Sequence, residues 1–167
     1  MKRLDDFPGH HALRMGRRSL PHQVYLLTLV TQRRRRHFGH FDVAHAVARE
    51  LGGRHLWRNH AVHAWVLMPD HAHLLCELAG DESLPCLVSR IKAVTATLGN
   101  SVLGRKGTFW ARGYHDHALR NQENLRTAVR YLVANPLRAG LVDSPWDWPF
   151  WNSRWIDTFD DLLTLGN

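Results

Sequence analysis

The stretch AVHAWVLMPDHAHLLCEL, Ala61–Leu78, decides how this chain of 167 residues is read. Two apolar runs flank Pro69-Asp70, which predicts two strands joined by a tight turn. Strand side chains alternate between faces, so His71 and His73 point the same way, about 6–7 Å apart along the backbone. Two imidazoles so placed can converge on one metal ion, while Ala72, Leu74 and Cys76 face the opposite, core side. With 13 histidines in the chain, roughly one H-x-H is expected by chance, so the surrounding sequence has to decide.

Working outward, His22–Thr31 (HQVYLLTLVT) predicts a central strand, rich in branched and aromatic residues. It runs into Arg33-Arg34-Arg35-Arg36, four charges that must be solvated or bound to anions. Apolar positions at helical spacing predict a helix over Asp42–Arg54, stopped by Gly52-Gly53. Ser83 caps a further predicted helix whose stripe is Leu84, Leu87, Val88, Ile91, Thr95 and Leu98, ended by Gly99. Thr108–Trp110 reads as a short fourth strand. Asn121 caps the last main helix, with Leu125, Ala128, Val129, Leu132 and Val133 on its buried stripe, and Asn135-Pro136 ends it. The alternation of elements predicts an α+β, ferredoxin-like antiparallel sheet with helices packed on one face, in a single domain. The histidine pair is expected on the open face of a central strand.

The composition bounds the partners. Residues 1–60 carry 12 Lys and Arg against 4 Asp and Glu, whereas the remainder carries 10 against 11. All of the net charge of +7 therefore comes from the N-terminal part. That asymmetry points to a polyanion, most naturally nucleic acid. Of 22 basic residues 19 are Arg, the type suited to bidentate phosphate and guanine contacts. The expected division is a basic arm over 1–21, a folded domain over 22–155 and an acidic tail over 156–167. Arg17 and Arg18 of the arm, Arg33, Arg34, Arg35 and Arg36, and Arg90 and Lys92 beside the second helix stripe are the candidate DNA contacts. Cys76 and Cys86 form no C-x-x-C and are expected as buried thiols in a reducing compartment. No run is apolar enough to span a bilayer and no signal-peptide pattern is present, so a cytoplasmic, nucleoid-associated protein is expected, with a monomer favoured over a homodimer.

On the last helix Asn124, Thr127, Tyr131 and Asn135 form a polar stripe beside the buried one. Tyr131 and Asn135 are one turn apart, roughly 5–6 Å between Cβ atoms. A tyrosine hydroxyl, two imidazoles and an amide oxygen make a nucleophile and a metal site with an open position. Such a mixed shell suits Mg²⁺ or Mn²⁺ better than zinc. A second H-x-H, His115-Asp116-His117 beside Tyr114, is a rival. The first is preferred, because Asp116 is not a core-facing spacer, although His117 can still approach the site.

Three stretches in order, MPDHAHLL at Met68–Leu75, GTFWARGYHDHALR at Gly107–Arg120 and YLVANPLRAGLV at Tyr131–Val142, resemble the REP-associated tyrosine transposases of the single-tyrosine HUH transposase family. The similarity extends from about His22 to Trp155. It implies a ferredoxin-like fold and metal-dependent cleavage and rejoining of single-stranded DNA, with palindromic hairpins as partners. Residue by residue, it implies His71 and His73 as metal ligands, Tyr131 as nucleophile and Asn135 as third ligand. It further implies a 5′-phosphotyrosine intermediate, which conserves bond energy and needs no ATP to be resealed. The other classes to be separated from this one are a non-catalytic nucleic-acid-binding protein of the same fold and a metal nuclease that uses water.

Overall fold

The computed structural model describes residues 20–119 and 122–156. Most of the basic arm, including Arg17 and Arg18, the Asn121 cap and the acidic tail with Asp157, Asp160 and Asp161 lie outside the described residues. In chain order the elements are β1 (Val24–Val30), α1 (Phe41–Gly52), α2 (Arg54–Trp57), β2 (Ala61–Met68), β3 (His71–Glu77), α3 (Leu84–Val102), β4 (His115–Ala118), α4 (Gln122–Val133), α5 (Asn135–Arg138) and β5 (Trp151–Ser153). The strands form one five-stranded sheet in the order β4-β1-β3-β2-β5, and every pairing is antiparallel. The α+β antiparallel sheet is therefore the fold, and β3, which carries the histidine pair, is its middle strand.

Both faces of the sheet are covered, which differs from the expectation of helices on one face. Tyr25, Leu27 and Leu29 of β1 and Ala72, Leu74 and Cys76 of β3 join the apolar stripes of α1 and α3 in the larger core. The alternate positions, Leu26, Ala64, Val66, Met68 and Leu75, meet Val129, Leu132 and Val133 of α4 in a smaller one. Each side chain of this size taken out of water contributes about 1.5–3 kcal/mol, enough for α4 to dock through three of them. His71 and His73 share the α4 face. That face is not open, and His73 is only 6% exposed.

Three boundaries also differ. Gly99 does not end α3. Phe109 packs so closely there that a Cβ would come within 2.4 Å of its ring, so the glycine makes room for an aromatic, and the helix stops before Gly104 at φ +60°. Thr108–Trp110 is not a strand, because Phe109 and Trp110 are drawn into the larger core, leaving one bridge from Thr31 to Trp110. The edge strand is instead His115–Ala118, paired with β1. Finally, Asn135-Pro136 breaks α4 but restarts a turn at once as α5, where proline's missing N–H is no loss. Of the cysteines, Cys76 is buried as expected, and burial pushes its thiol up to about 12; Cys86, on the outer side of α3, is exposed instead. No helix among the described residues is long and apolar enough to cross a membrane.

Candidate active site

The hairpin turn Pro69-Asp70 starts β3 at His71, and the pleat aims His71 and His73 to one side. Their Nε2 atoms lie 3.2 Å apart, with the rings nearly perpendicular at 82°. Two nitrogens, each about 2.0–2.1 Å from one ion and at right angles about it, would be about 3 Å apart. The other ring nitrogens are both held by oxygen. His71 Nδ1 donates to Asp70 Oδ1 at 2.6 Å, and His73 Nδ1 lies 2.9 Å from Thr28 Oγ1. A carboxylate only accepts, so the His71 proton sits on Nδ1 and its Nε2 lone pair faces inward. Thr28 can donate or accept, so it satisfies either tautomer of His73, including the one whose Nε2 is available to a cation. Burial first, then the neighbouring His71 ring and the Arg138 cation, lower the His73 pKa to about 3, which keeps it in the neutral form a metal ligand needs. Spacing, tautomer and charge state all fit a divalent ion. Among the described residues no three His, Cys, Asp or Glu side chains converge in this way.

Helix α4 packs on β2, β3 and β5, over the same face, and carries Tyr131 there. Arg138 reaches back from α5 to Tyr131. Its guanidinium carbon is 3.6 Å from the centre of the phenol ring, and Nη2 donates to the hydroxyl. The charge of Arg138 also acts on His73. Asn135 is half-buried, with Nδ2 donating to the Leu132 carbonyl at 3.1 Å, so Oδ1 is the amide atom not used in that bond. Asp70, Thr28 and Arg138 are absent from the site residues that the sequence pattern suggests. Arg138 is seven residues from Tyr131, a helical spacing that points to it; Thr28 needs the cross-strand register, which no local pattern carries.

The second H-x-H occupies the edge of the same face. His115 pairs with Thr28 and His117 with Leu26, while Thr28 also pairs with His73. His115 therefore lies two strands from His73, on the far side of the residue that holds it, and both His115 and His117 are exposed. Tyr114, the other tyrosine considered, packs against the larger core beneath the opposite face.

Two candidate DNA contacts have other employment. Arg90 donates to both carboxylate oxygens of Glu82 and through Nε to the Leu56 carbonyl, and its side chain is only 15% exposed. Lys92 Nζ donates to the carbonyls of Ala111 and Gly113. Both are engaged inside the fold, through contacts that the helix pattern does not reveal. Arg33 to Arg36 are all exposed, and Arg34 pairs with Asp70 at 3.2 Å.

Sequence and structure comparisons agree with one another. The chain is 32% identical over 90 residues to the REP-associated tyrosine transposase of Escherichia coli, covering 53% of this chain and 52% of that protein. A Haemophilus influenzae protein given the same name provisionally is 28% identical over 94 residues, covering 50% of this chain and 53% of its own length. The chain thus spans about half the length of the curated relatives it matches. A solved REP-associated tyrosine transposase bound to a REP hairpin superposes with a TM-score of 0.63 at 23% identity, over 81% of this chain and 79% of that one, a likeness of fold. The family model described as IS200-like transposase matches residues 20–135, most of the chain and all of the sheet but its last strand. With the histidine pair and the tyrosine helix both inside that span, the chain belongs to the IS200-like transposase family.

Proposed function

We propose that this chain is a metal-dependent endonuclease and strand transferase for single-stranded DNA, acting on REP-type hairpins through a covalent 5′-phosphotyrosine on Tyr131. The observation that carries the reading is the convergence of His71 Nε2 and His73 Nε2, with both Nδ1 atoms held by oxygen, on the face that carries α4. His71 and His73 would hold Mg²⁺ or Mn²⁺, with Asn135 Oδ1 as a third donor. Bound there, the ion supplies Lewis-acid polarisation of a phosphodiester oxygen. The Tyr131 oxygen bonds to phosphorus as the bond to the 3′-oxygen breaks. The phenol loses its proton and the departing 3′-oxygen gains one, leaving the 5′ phosphate on the enzyme. Reversal with another 3′-hydroxyl reseals the strand without an energy source. Arg138 orients the phenol through its ring and its hydroxyl. The exposed Arg33–Arg36 turn, together with the basic arm and Arg17 and Arg18, would bind the hairpin phosphates. A DNA substrate of this kind would place the protein in the cytoplasm with the nucleoid.

The test is labelled single-stranded hairpin DNA incubated with protein and Mn²⁺, then denatured. A protein–DNA adduct is expected, absent without metal and absent in Tyr131→Phe. Cleavage without an adduct would identify a nuclease that uses water, and binding without cleavage a non-catalytic binder.

A further inference from the structure

The arginine turn and the histidine pair are built as one unit. Thr31 N donates to the Asp70 carbonyl at 2.9 Å, and Phe38 N to the Pro69 carbonyl at 3.0 Å. Thr31 Oγ1 sits between the Asp70 and Arg35 carbonyls, at 2.9 and 2.7 Å. The segment from 31 to 38 is thereby tied to the hairpin turn at both ends. Between the ties, Arg33 and Arg34 adopt left-handed backbone conformations, with φ of 57° and 50°. Two such residues in succession, neither a glycine, hold the turn in a conformation that side-chain-bearing residues disfavour. What this strained turn delivers is the Arg34 guanidinium, at 3.2 Å from Asp70 Oδ2. The other oxygen of the same carboxylate holds His71.

Asp70 is therefore shared. Partial burial works against its charge, but hydrogen bonds from His71 and then from Arg34 outweigh that, and the carboxyl is held below its ordinary range. Arg34 is 67% exposed, so its bridge to Asp70 is a weak surface ion pair. A phosphate can take Arg34 at little cost. Once it does, the Asp70 carboxylate has only His71 to serve.

We infer that Arg34 and Asp70 couple nucleic-acid binding to metal binding, a phosphate on Arg34 releasing Asp70 to hold His71 more firmly for the ion. This rests on the proposed function, since it assumes that both the ion and the DNA bind here. Asp70 is a positioning residue in this scheme and Arg34 the sensor.

The experiment is calorimetric titration of Mn²⁺ into the full chain, with and without a saturating single-stranded hairpin, in wild type, Arg34→Gln and Asp70→Asn. Wild type is expected to bind Mn²⁺ about fivefold or more tightly with DNA present. Asp70→Asn is expected to weaken Mn²⁺ about 10–100-fold in either condition. Arg34→Gln is expected to bind Mn²⁺ at least as tightly as wild type without DNA, and to gain less from adding it. An equal gain in wild type and Arg34→Gln would overturn the coupling, as direct phosphate ligation would then explain all of it. A loss of DNA-free Mn²⁺ affinity in Arg34→Gln would overturn it too, making Arg34 a mere buttress. Wild type binding neither Mn²⁺ nor DNA would instead overturn the functional reading itself.

Discussion

Thr28 and His73 face each other across the β1–β3 pairing, with Oγ1 2.9 Å from Nδ1. A hydroxyl in that place can take the imidazole proton or give one. His73 can thus turn a proton-bearing Nε2 toward His71, or a bare one toward an ion, with no backbone movement. Thr28→Val keeps the shape and removes the partner. It is expected to weaken Mn²⁺ binding about tenfold or more, measured by calorimetry, and Thr28→Ser is expected to restore it. Equal affinity in Thr28→Val and wild type would show that the hydroxyl does not select the tautomer.

Arg138 is expected to govern the chemistry more than the binding. Arg138→Ala leaves Tyr131 without the cation stacked on its ring and donating to its hydroxyl. The first-order rate of adduct formation at saturating DNA should fall on the order of 100-fold, the cost of a displaced nucleophile. DNA affinity measured by anisotropy should change much less. A parallel fall of both would make Arg138 a phosphate contact instead.

The Glu82 network predicts a stability effect with a defined pH window. Arg90, opposed by desolvation and assisted by His60, holds the Glu82 carboxyl below its ordinary value of 4.5. Its contribution is therefore present above that ordinary value and is lost as the pH falls through the lower folded one. Glu82→Gln should cost about 2 kcal/mol at pH 7, as expected for a charged hydrogen bond. The gap to wild type in chemical denaturation should close as the pH is lowered below 4.5. Arg90→Gln should lose stability while keeping its DNA affinity, because its guanidinium is committed inside the fold.

The exposed arginines predict a salt effect. Replacing Arg33, Arg35 and Arg36 by Gln should flatten the plot of log K against log salt by about 0.7 for each single-strand phosphate that the variant no longer neutralises. None of the three touches His71, His73 or Tyr131, so cleavage at saturating DNA should persist. An unchanged slope would mean the run is a solvated loop.

What could be read from the sequence was what local pattern controls. Pro69-Asp70 punctuates an alternation that leaves only a hairpin, and that alternation already sorted His71 and His73 from Ala72 and Leu74. The stripe of Val129, Leu132 and Val133 identified a helix but could not say which side of the sheet it covers, since either side is apolar. β4 was misplaced because Phe109 and Trp110 look like strand residues, whereas Phe109 fills the space above Gly99 and Trp110 packs on Phe38 and donates to Thr95 in the larger core. The internal hydrogen bonds of Arg90 and Lys92, read from sequence as candidate DNA contacts, were not legible because their acceptors, Glu82 and the carbonyls of Ala111 and Gly113, are gathered only by the tertiary fold. Thr28 was invisible for a similar reason, lying 45 residues from the imidazole it serves.

The two cores on either side of the sheet have a consequence for repair and for change. The tyrosine helix rests on its own small set of apolar neighbours, while the larger set on the far side holds the sheet together. A substitution under α4 can therefore shift the helix that carries Tyr131 while leaving the scaffold intact. Such a partition lets one side of the sheet change by small steps on an unchanged platform.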